Sequence, residues 1–168
     1  MTPTPLAEPD MAAAAELWRA YCEAVPGVGD EHPSVEGFGD SAELADELLA
    51  LVVEGRKTAT ATLVAEFAAD EQPLPRIGGY WIACDGRGAP QVVLRSTELR
   101  LGTVESVDDA FARDEGEGDR TRDSWLADHL RYWRRVTDAR GIRWSDDIEV
   151  IFERFEVVWP LAAPKPVE

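Results

Sequence analysis

The spacing of apolar residues predicts two helices separated by a loop in the first third of the chain. Apolar side chains recur at helical spacing over residues 11–24, and Asp10 suits the N-cap position of that helix. Residues 25–39 hold six glycines and prolines, so they are predicted as a loop. A second helix starts at residue 40 or 41 and stops at Gly55, because glycine is favoured just after the last turn of a helix.

Period-two alternation predicts strands in the rest of the chain, with helices between them. The predicted strands are residues 58–63, 80–84, 91–95, 98–104 and 148–159. The predicted helices are residues 64–72, 107–112 and 121–140. Residues 114–119, DEGEGD, are predicted as a loop, because their glycines and like charges suit no regular element.

These elements indicate a single α+β domain over residues 10–160. Helices flank a block of about five strands, an arrangement that suits a small barrel-like sheet. Residues 1–9 contain three prolines and are predicted as a flexible arm, and residues 161–168 are predicted as a tail. A chain of 168 residues is long enough to form a core without disulfides or a metal.

The composition is that of an ordinary globular protein, with 45% apolar and 30% charged residues. No apolar run approaches the ~20 residues that span a bilayer, and the N-terminus lacks the basic segment of a signal peptide. Cys22 and Cys84 are too few for a disulfide scaffold or a cysteine-rich zinc site, and are predicted as inert core thiols. We therefore expect a cytoplasmic protein that binds no membrane.

The charge balance excludes a general nucleic-acid coat. Seventeen basic residues stand against thirty-three acidic ones, a net charge of −16. Such a surface repels polyanions, whereas affinity for long nucleic acids comes from many neutralised phosphates. A single nucleotide, or a short RNA in a local basic pocket, remains compatible with this charge.

The first candidate for chemistry is the segment 55–60, GRKTAT. Lys57 and Thr60 are three residues apart, so on a regular strand their side chains point to opposite faces. They converge only if the chain turns around Lys57, which Gly55 allows. A half-buried lysine serves as a base or an oxyanion partner, and a threonine beside it serves as a nucleophile. The alternative is a solvated lysine followed by an ordinary strand threonine.

The second candidate is the acidic loop 114–119, which has four carboxylates in six residues. Its spacing does not match the calcium-loop pattern, and no histidine-rich motif accompanies it for zinc. One interpretation is a solvated acidic loop. The other is an acid–base carboxylate, because crowding of like charges raises a carboxyl pKa toward neutral pH.

The third candidate is the aromatic face of the helix over residues 121–140. Trp125, His129, Tyr132 and Trp133 share this face through their i, i+4 and i+7/i+8 spacing. Such a stripe is typical of core packing. The functional alternative is a platform on which a nucleobase stacks.

Five motifs, taken in order, resemble the ASCH domain family of the PUA-like superfamily. They are the opening helix with a G-x-K-x-x-T signature at 44–60, PRIGGY at 75–80, FARDEGEGD at 111–119, W-x-x-x-H at 125–129 and the closing strand VIFERFEVV at 150–158. Gly79 stands where aspartate is common in the second motif. The resemblance covers about residues 10–160. It implies an α+β fold with a small PUA-like β-barrel of about five to six strands and flanking α-helices.

The resemblance also implies a cleft for RNA-derived ligands. A short-chain branch of the family hydrolyses N4-acetylcytidine to cytidine and acetate with a lysine, a threonine and a glutamate, and another branch is ribonuclease-like. Carried over by motif, the catalytic residues are Lys57, Thr60 and Glu115, with Glu117 as the alternative glutamate. The candidates for substrate binding are Gly55, Arg56, Tyr80, Glu117, Asp119, Trp125 and His129. No metal and no cofactor is implied.

Two departures separate this chain from the short hydrolases. Thr62 stands where their signature ends in arginine, and the chain has an additional N-terminal helix. The leading hypothesis is a metal-independent amidohydrolase acting on an uncharged nucleoside, in which Lys57 activates Thr60 and Glu115 binds the base amine or shuttles the proton.

Two other hypotheses stay open at the level of sequence. The first is a non-catalytic module that binds a nucleotide or short RNA, with a basic strip near Arg87, Arg95 and Arg100. The second is metal-assisted RNA cleavage around the acidic loop, which requires converging carboxylates. The sequence leaves the oligomeric state open, a homodimer included.

Overall fold

The computed structural model describes residues 2–161, which contain five α-helices, a short 3-10 helix (Val104–Ser106) and five strands. The helices are α1 (Met11–Ala24), α2 (Ala42–Val53), α3 (Val64–Ala69), α4 (Asp109–Glu115) and α5 (Arg122–Arg140). The strands are β1 (Ser34–Gly37), β2 (Ala59–Leu63), β3 (Tyr80–Cys84), β4 (Pro90–Gly102) and β5 (Val150–Trp159). Most of the predicted tail, residues 162–168, lies outside the described residues.

The strands form one mixed sheet in the order β1-β3-β4-β5-β2. β1 pairs with β3 in parallel, whereas β3 pairs with β4 and β2 with β5 in antiparallel fashion. β2 is therefore an edge strand. The α+β class predicted from the sequence is confirmed. None of the helices within residues 2–161 is both long and apolar enough to cross a membrane.

Three predictions of local structure were wrong. Ser34–Gly37 lies in the segment predicted as a loop, yet forms β1 because β3 supplies its pairing partners from far along the chain. The two strands predicted over 91–104 are the single strand β4, because Ser96 and Thr97 stay extended between neighbouring strands. The acidic loop begins at Gly116, since α4 continues through Asp114 and Glu115.

The chain divides into two compact units, of which the first comprises residues 2–49, 78–95 and 156–161. Its core is formed by Ala14, Tyr21, Ile82 and Val93, with Trp18 and Tyr80 packed against it. Residues 4–7 belong to the segment predicted as a flexible arm, yet they contact the other residues of this unit. The Thr4 carbonyl accepts a hydrogen bond from Ala42 N, and Ala7 N donates to Gly86 O.

The second unit comprises Ala50–Ile77 and Ser96–Phe155. Its core joins one face of β2 and β5 to helices α4 and α5. Phe111, Trp125, Trp133 and Phe152 are its large buried residues. The stripe on α5 is thus core packing for Trp125 and Trp133. Whether both units make up the one domain expected over residues 10–160 stays a prediction.

Candidate active site

Lys57 enters the second unit through a tight turn at the end of α2. The backbone N–H groups of Arg56 and Lys57 both donate to the Leu51 carbonyl, at 2.9 and 3.0 Å. This turn directs the lysine side chain inward, where only 1% of it is exposed. Immediately afterwards, Thr58 N donates to Asp114 O at 2.7 Å and ties the start of β2 to the end of α4.

The acidic loop approaches this turn closely because α4 ends on a glycine. Gly116 caps α4 with a φ of +71°, and its N–H donates to Arg113 O. A Cβ at this position would lie 2.3 Å from the Arg56 carbonyl oxygen. The close approach therefore requires glycine, and it brings Glu115 and Glu117 to the lysine.

Four ionisable side chains meet at this point, and we call Lys57, Glu115, Glu117 and His129 the charge cluster. Lys57 Nζ lies 3.5 Å from Glu115 Oε1 and 3.1 Å from Glu117 Oε2. His129 Nε2 lies 3.0 Å from Glu115 Oε2 and 4.0 Å from Glu117 Oε2. Two cations thus face two carboxylates.

Trp125 fixes both Glu115 and His129. Its indole N–H donates a hydrogen bond to Glu115 Oε2, and its ring stacks on the His129 imidazole with centroids 3.9 Å apart. The Trp125 carbonyl accepts a hydrogen bond from His129 Nδ1 at 2.9 Å. Because both ring nitrogens of His129 face acceptors, the arrangement favours the imidazolium form.

The pKa values of the cluster follow from burial opposed by neighbouring charge. Burial raises the pKa of Glu115, but the charges of Lys57 and His129 outweigh it and lower that pKa to about 2. Burial lowers the pKa of Lys57, yet Glu115 and Glu117 raise it above its ordinary value. The pKa of His129 is likewise raised, because the attraction of Glu115 outweighs burial.

Glu117 differs from Glu115 in its exposure and its pKa. Its side chain is 26% exposed, against 1% for Glu115. Burial, together with repulsion from Glu115, raises the pKa of Glu117 despite the attraction of Lys57. Glu115 is thus a fixed anion, whereas Glu117 is the carboxyl that solvent reaches and that takes up a proton more readily.

Three members of the cluster have the geometry of a metal site. Glu115, Glu117 and His129 each offer one ligand atom, and these atoms lie within 4.8 Å of one another. The Lys57 ammonium lies within hydrogen-bonding distance of the same two carboxylates. The Lys57 ammonium already supplies positive charge at this point, so it would repel a divalent cation that bound to the same carboxylates.

Replacing Lys57 by methionine is therefore expected to create a divalent metal site. We expect Mn²⁺ at saturation to raise the Tm of Lys57→Met by about 5 °C or more, and to leave wild type unchanged. Differential scanning fluorimetry with and without Mn²⁺ measures the shift. The matched control is the double variant Lys57→Met/His129→Ala, which should lose it. An equal shift in wild type would contradict the expectation.

The structure brings most of the predicted site residues together but not all of them. Lys57, Glu115, Glu117, Trp125 and His129 form one contact network, with the backbone of Gly55 and Arg56 in the adjoining turn. Asp119 lies outside it, and its carboxylate accepts hydrogen bonds from Thr121 N and Oγ1. Tyr80 belongs to the first unit, where its ring contacts Trp18 and Tyr21.

Thr60 lies in the middle of β2, opposite Glu153 of β5. Strand alternation turns its side chain away from the face that carries Ala59 and Leu63, which are in the core. Lys57 precedes the strand, so strand alternation does not determine where the Lys57 side chain points relative to that of Thr60. The role of Thr60 stays a prediction.

Sequence reasoning missed a support of the acidic loop on β5. Arg154 donates through Nε and Nη2 to Asp114 Oδ2 at 3.2 and 3.1 Å, and through Nη1 to Glu98 at 3.0 Å. An arginine in a strand carries no local signal of such a contact. The carboxylates of Asp114 and Asp119 have their own protein donors, Arg154 and Thr121, and are not members of the charge cluster.

Comparison with known proteins gives the family. The family model for the ASCH domain matches residues 24–159. The chain belongs to the ASCH domain family. A search of curated proteins for relatives of this ASCH protein finds no match.

Two crystal structures resemble this ASCH protein over most of their length. A protein of Enterococcus faecalis, of family DUF984, is 29% identical, with a TM-score of 0.77 over 88% of this chain and 89% of its own. An ASCH domain from Lactobacillus crispatus is 21% identical, with a TM-score of 0.78 over 88% and 94%. The PUA-like fold implied by the sequence motifs is thereby confirmed.

Proposed function

We propose that this ASCH protein is a metal-independent amidohydrolase that acts on a modified nucleoside of the N4-acetylcytidine type. The observation that supports it best is the charge cluster, in which Lys57 and Glu115 are buried, His129 is 12% exposed and the Glu117 carboxyl is 26% exposed. Buried charges that shift each other's pKa values are typical of sites that transfer protons. The net charge of −16 favours an uncharged nucleoside over a long RNA.

In this proposal Glu117 carries the proton to the leaving amine. Its raised pKa suits a general acid, and its partial exposure lets a substrate reach it. Glu115 stays ionised and orients Lys57 and His129. The sequence motif favours Glu115 for proton transfer, but a carboxyl with a pKa of about 2 holds no proton at neutral pH.

Lys57 acts here as a fixed cation and not as a base. Its pKa is raised, so it is protonated at neutral pH and cannot take the proton of Thr60. An ammonium beside the scissile carbonyl stabilises the negative charge that develops on its oxygen. Thr60, on the edge strand β2, is the proposed nucleophile.

The test is hydrolysis of N4-acetylcytidine by EDTA-treated protein, followed as release of cytidine. We expect turnover by wild type and a loss of about a hundredfold or more in kcat for Glu117→Gln, because the glutamine cannot donate a proton. Glu149→Gln, a change at an exposed glutamate, is the matched control and should keep full activity. Activity of Glu117→Gln equal to that of wild type would remove Glu117 from the mechanism.

Absence of turnover by wild type would contradict the proposal as a whole. Nucleotide binding that weakens steeply with salt would then favour a non-catalytic module. The arginines predicted to form a basic strip include two with internal partners. Arg95 pairs with Glu156 at 3.7 Å, and Arg100 donates to Ser106 Oγ at 3.0 Å.

A further inference from the structure

A second set of buried polar side chains lies on three neighbouring strands of the second unit. Ser96 is on β4, Glu153 on β5 and Thr60 on β2, and these strands are adjacent in the order β4-β5-β2. Ser96 and Glu153 are only 2% and 7% exposed, whereas Thr60 is half-buried. The three residues form a row that runs from the core to the edge strand, and we call it the polar row.

Contacts and register join the members of the polar row. Ser96 Oγ donates a hydrogen bond to Glu153 Oε1. Thr60 is the register partner of Glu153, and side chains directly opposite on antiparallel strands have Cβ atoms about 5 Å apart on the same face. The next pair along the ladder, Ala61 and Phe152, points to the other face and into the core. The carboxylate thus accepts a hydrogen bond from one hydroxyl and has a second hydroxyl residue opposite it on the neighbouring strand.

A buried carboxylate next to a hydroxyl group is the arrangement in which a base activates a nucleophile. Nucleophilic hydroxyls need a base within reach, and that base is usually oriented by a third group. The proposed nucleophile Thr60 has no base in the charge cluster, since Lys57 is held by two carboxylates. Glu153 is the buried carboxylate opposite Thr60 on β5.

We propose that Glu153 is the general base that takes the proton from Thr60, and that Ser96 is a positioning residue that orients the Glu153 carboxylate. This inference rests on the proposed amidohydrolase function. It assigns acid and base to different carboxyl groups, with Glu153 acting on the nucleophile and Glu117 on the leaving group.

The atoms balance over two half-reactions. In the first, the Thr60 hydroxyl proton passes to Glu153 while Oγ1 bonds to the acetyl carbonyl carbon. The C–N bond then breaks, and the amine nitrogen takes a proton from Glu117. In the second, water gives a proton to Glu117, and the water oxygen bonds to the acetyl carbonyl carbon. The C–Oγ1 bond breaks, Oγ1 recovers its proton from Glu153, and acetic acid leaves, losing its own proton to solvent.

The experiment compares wild type with Glu153→Gln in the metal-free assay. We expect kcat to fall about a hundredfold or more while KM stays within about twofold, because the amide keeps the shape of the side chain but accepts no proton. Mass spectrometry of quenched wild-type reactions should find one acetyl group on Thr60, and Glu153→Gln should form it correspondingly slowly. Thr62→Val, a change two residues along the same face of β2, is the matched control and should keep full activity.

A second variant keeps the test decisive if Glu153→Gln does not fold. Ser96→Ala retains the carboxylate but removes the group that orients it, so kcat should fall about tenfold with KM unchanged. Wild-type turnover with an undiminished kcat in the folded variants would overturn the role of Glu153 and leave the amidohydrolase proposal standing. Absence of turnover in wild type would overturn both.

Discussion

Replacing Lys57 by methionine is expected to lower the free energy of unfolding by about 3–5 kcal/mol near neutral pH and to abolish hydrolysis. Methionine fills much of the same space but leaves the buried Glu115 carboxylate beside the partly exposed Glu117, with only His129 as a counter-charge. Removing one partner of a buried ion pair costs this much because the remaining charge stays out of water. Urea unfolding of wild type and variant measures the difference.

The loss of stability in Lys57→Met should be larger at neutral pH than at acidic pH, as the pKa of Glu115 shows. In wild type the pKa of Glu115 is about 2, below its ordinary 4.5. The ionised carboxylate therefore contributes stability that is full above the ordinary pKa and is lost as the pH falls toward the lowered one. In Lys57→Met the carboxyls protonate more readily, so the two proteins should differ less at about pH 4 than at about pH 7.

A double variant separates the ion pair from simple loss of packing. Lys57→Met/Glu115→Gln removes both buried charges, so it should recover part of the stability that Lys57→Met loses. A cost of under about 1 kcal/mol for Lys57→Met, or a cost that does not change with pH, would show that Lys57 does not stabilise the buried Glu115 carboxylate.

The second large effect is expected for Gly116→Ala. Alanine at this position must adopt a φ of +71°, and its Cβ would lie 2.3 Å from Arg56 O and 2.7 Å from Arg56 C. Backbone atoms cannot yield as a flexible side chain does, so the loop must move away from the turn that carries Lys57. We expect a loss of about 3 kcal/mol or more in stability, and a fall in kcat that persists well below the unfolding temperature.

Gly141→Ala is the matched control for Gly116→Ala. Gly141 caps α5 with a φ of +67°, but nothing lies within 4 Å of the position where its Cβ would be. This variant therefore meets only the cost of the left-handed backbone, about 1 kcal/mol, and should keep its activity. Equal losses in the two variants would show that the contact with Arg56 carries no cost of its own.

Local signals predicted the elements whose partners are close in sequence. The apolar periodicity and Asp10 predicted α1, and the turn at Gly141 ends α5 as expected. These features depend on side-chain spacing and on caps within a few residues, which the sequence contains. β1 has no such local signal, since its pairing with β3 joins residues far apart along the chain.

The sequence by itself determined the family, through five ordered motifs, and the residue types of the charge cluster. Only the tertiary structure decided their chemistry. Glu115 and Glu117 are two residues apart and alike in sequence, but one is enclosed by Lys57, Trp125 and His129 while the other reaches solvent. Their pKa values therefore move in opposite directions. The pairing of Thr60 with Glu153 is likewise set by strand register, because burial, charge and reach depend on residues that meet only in the folded chain.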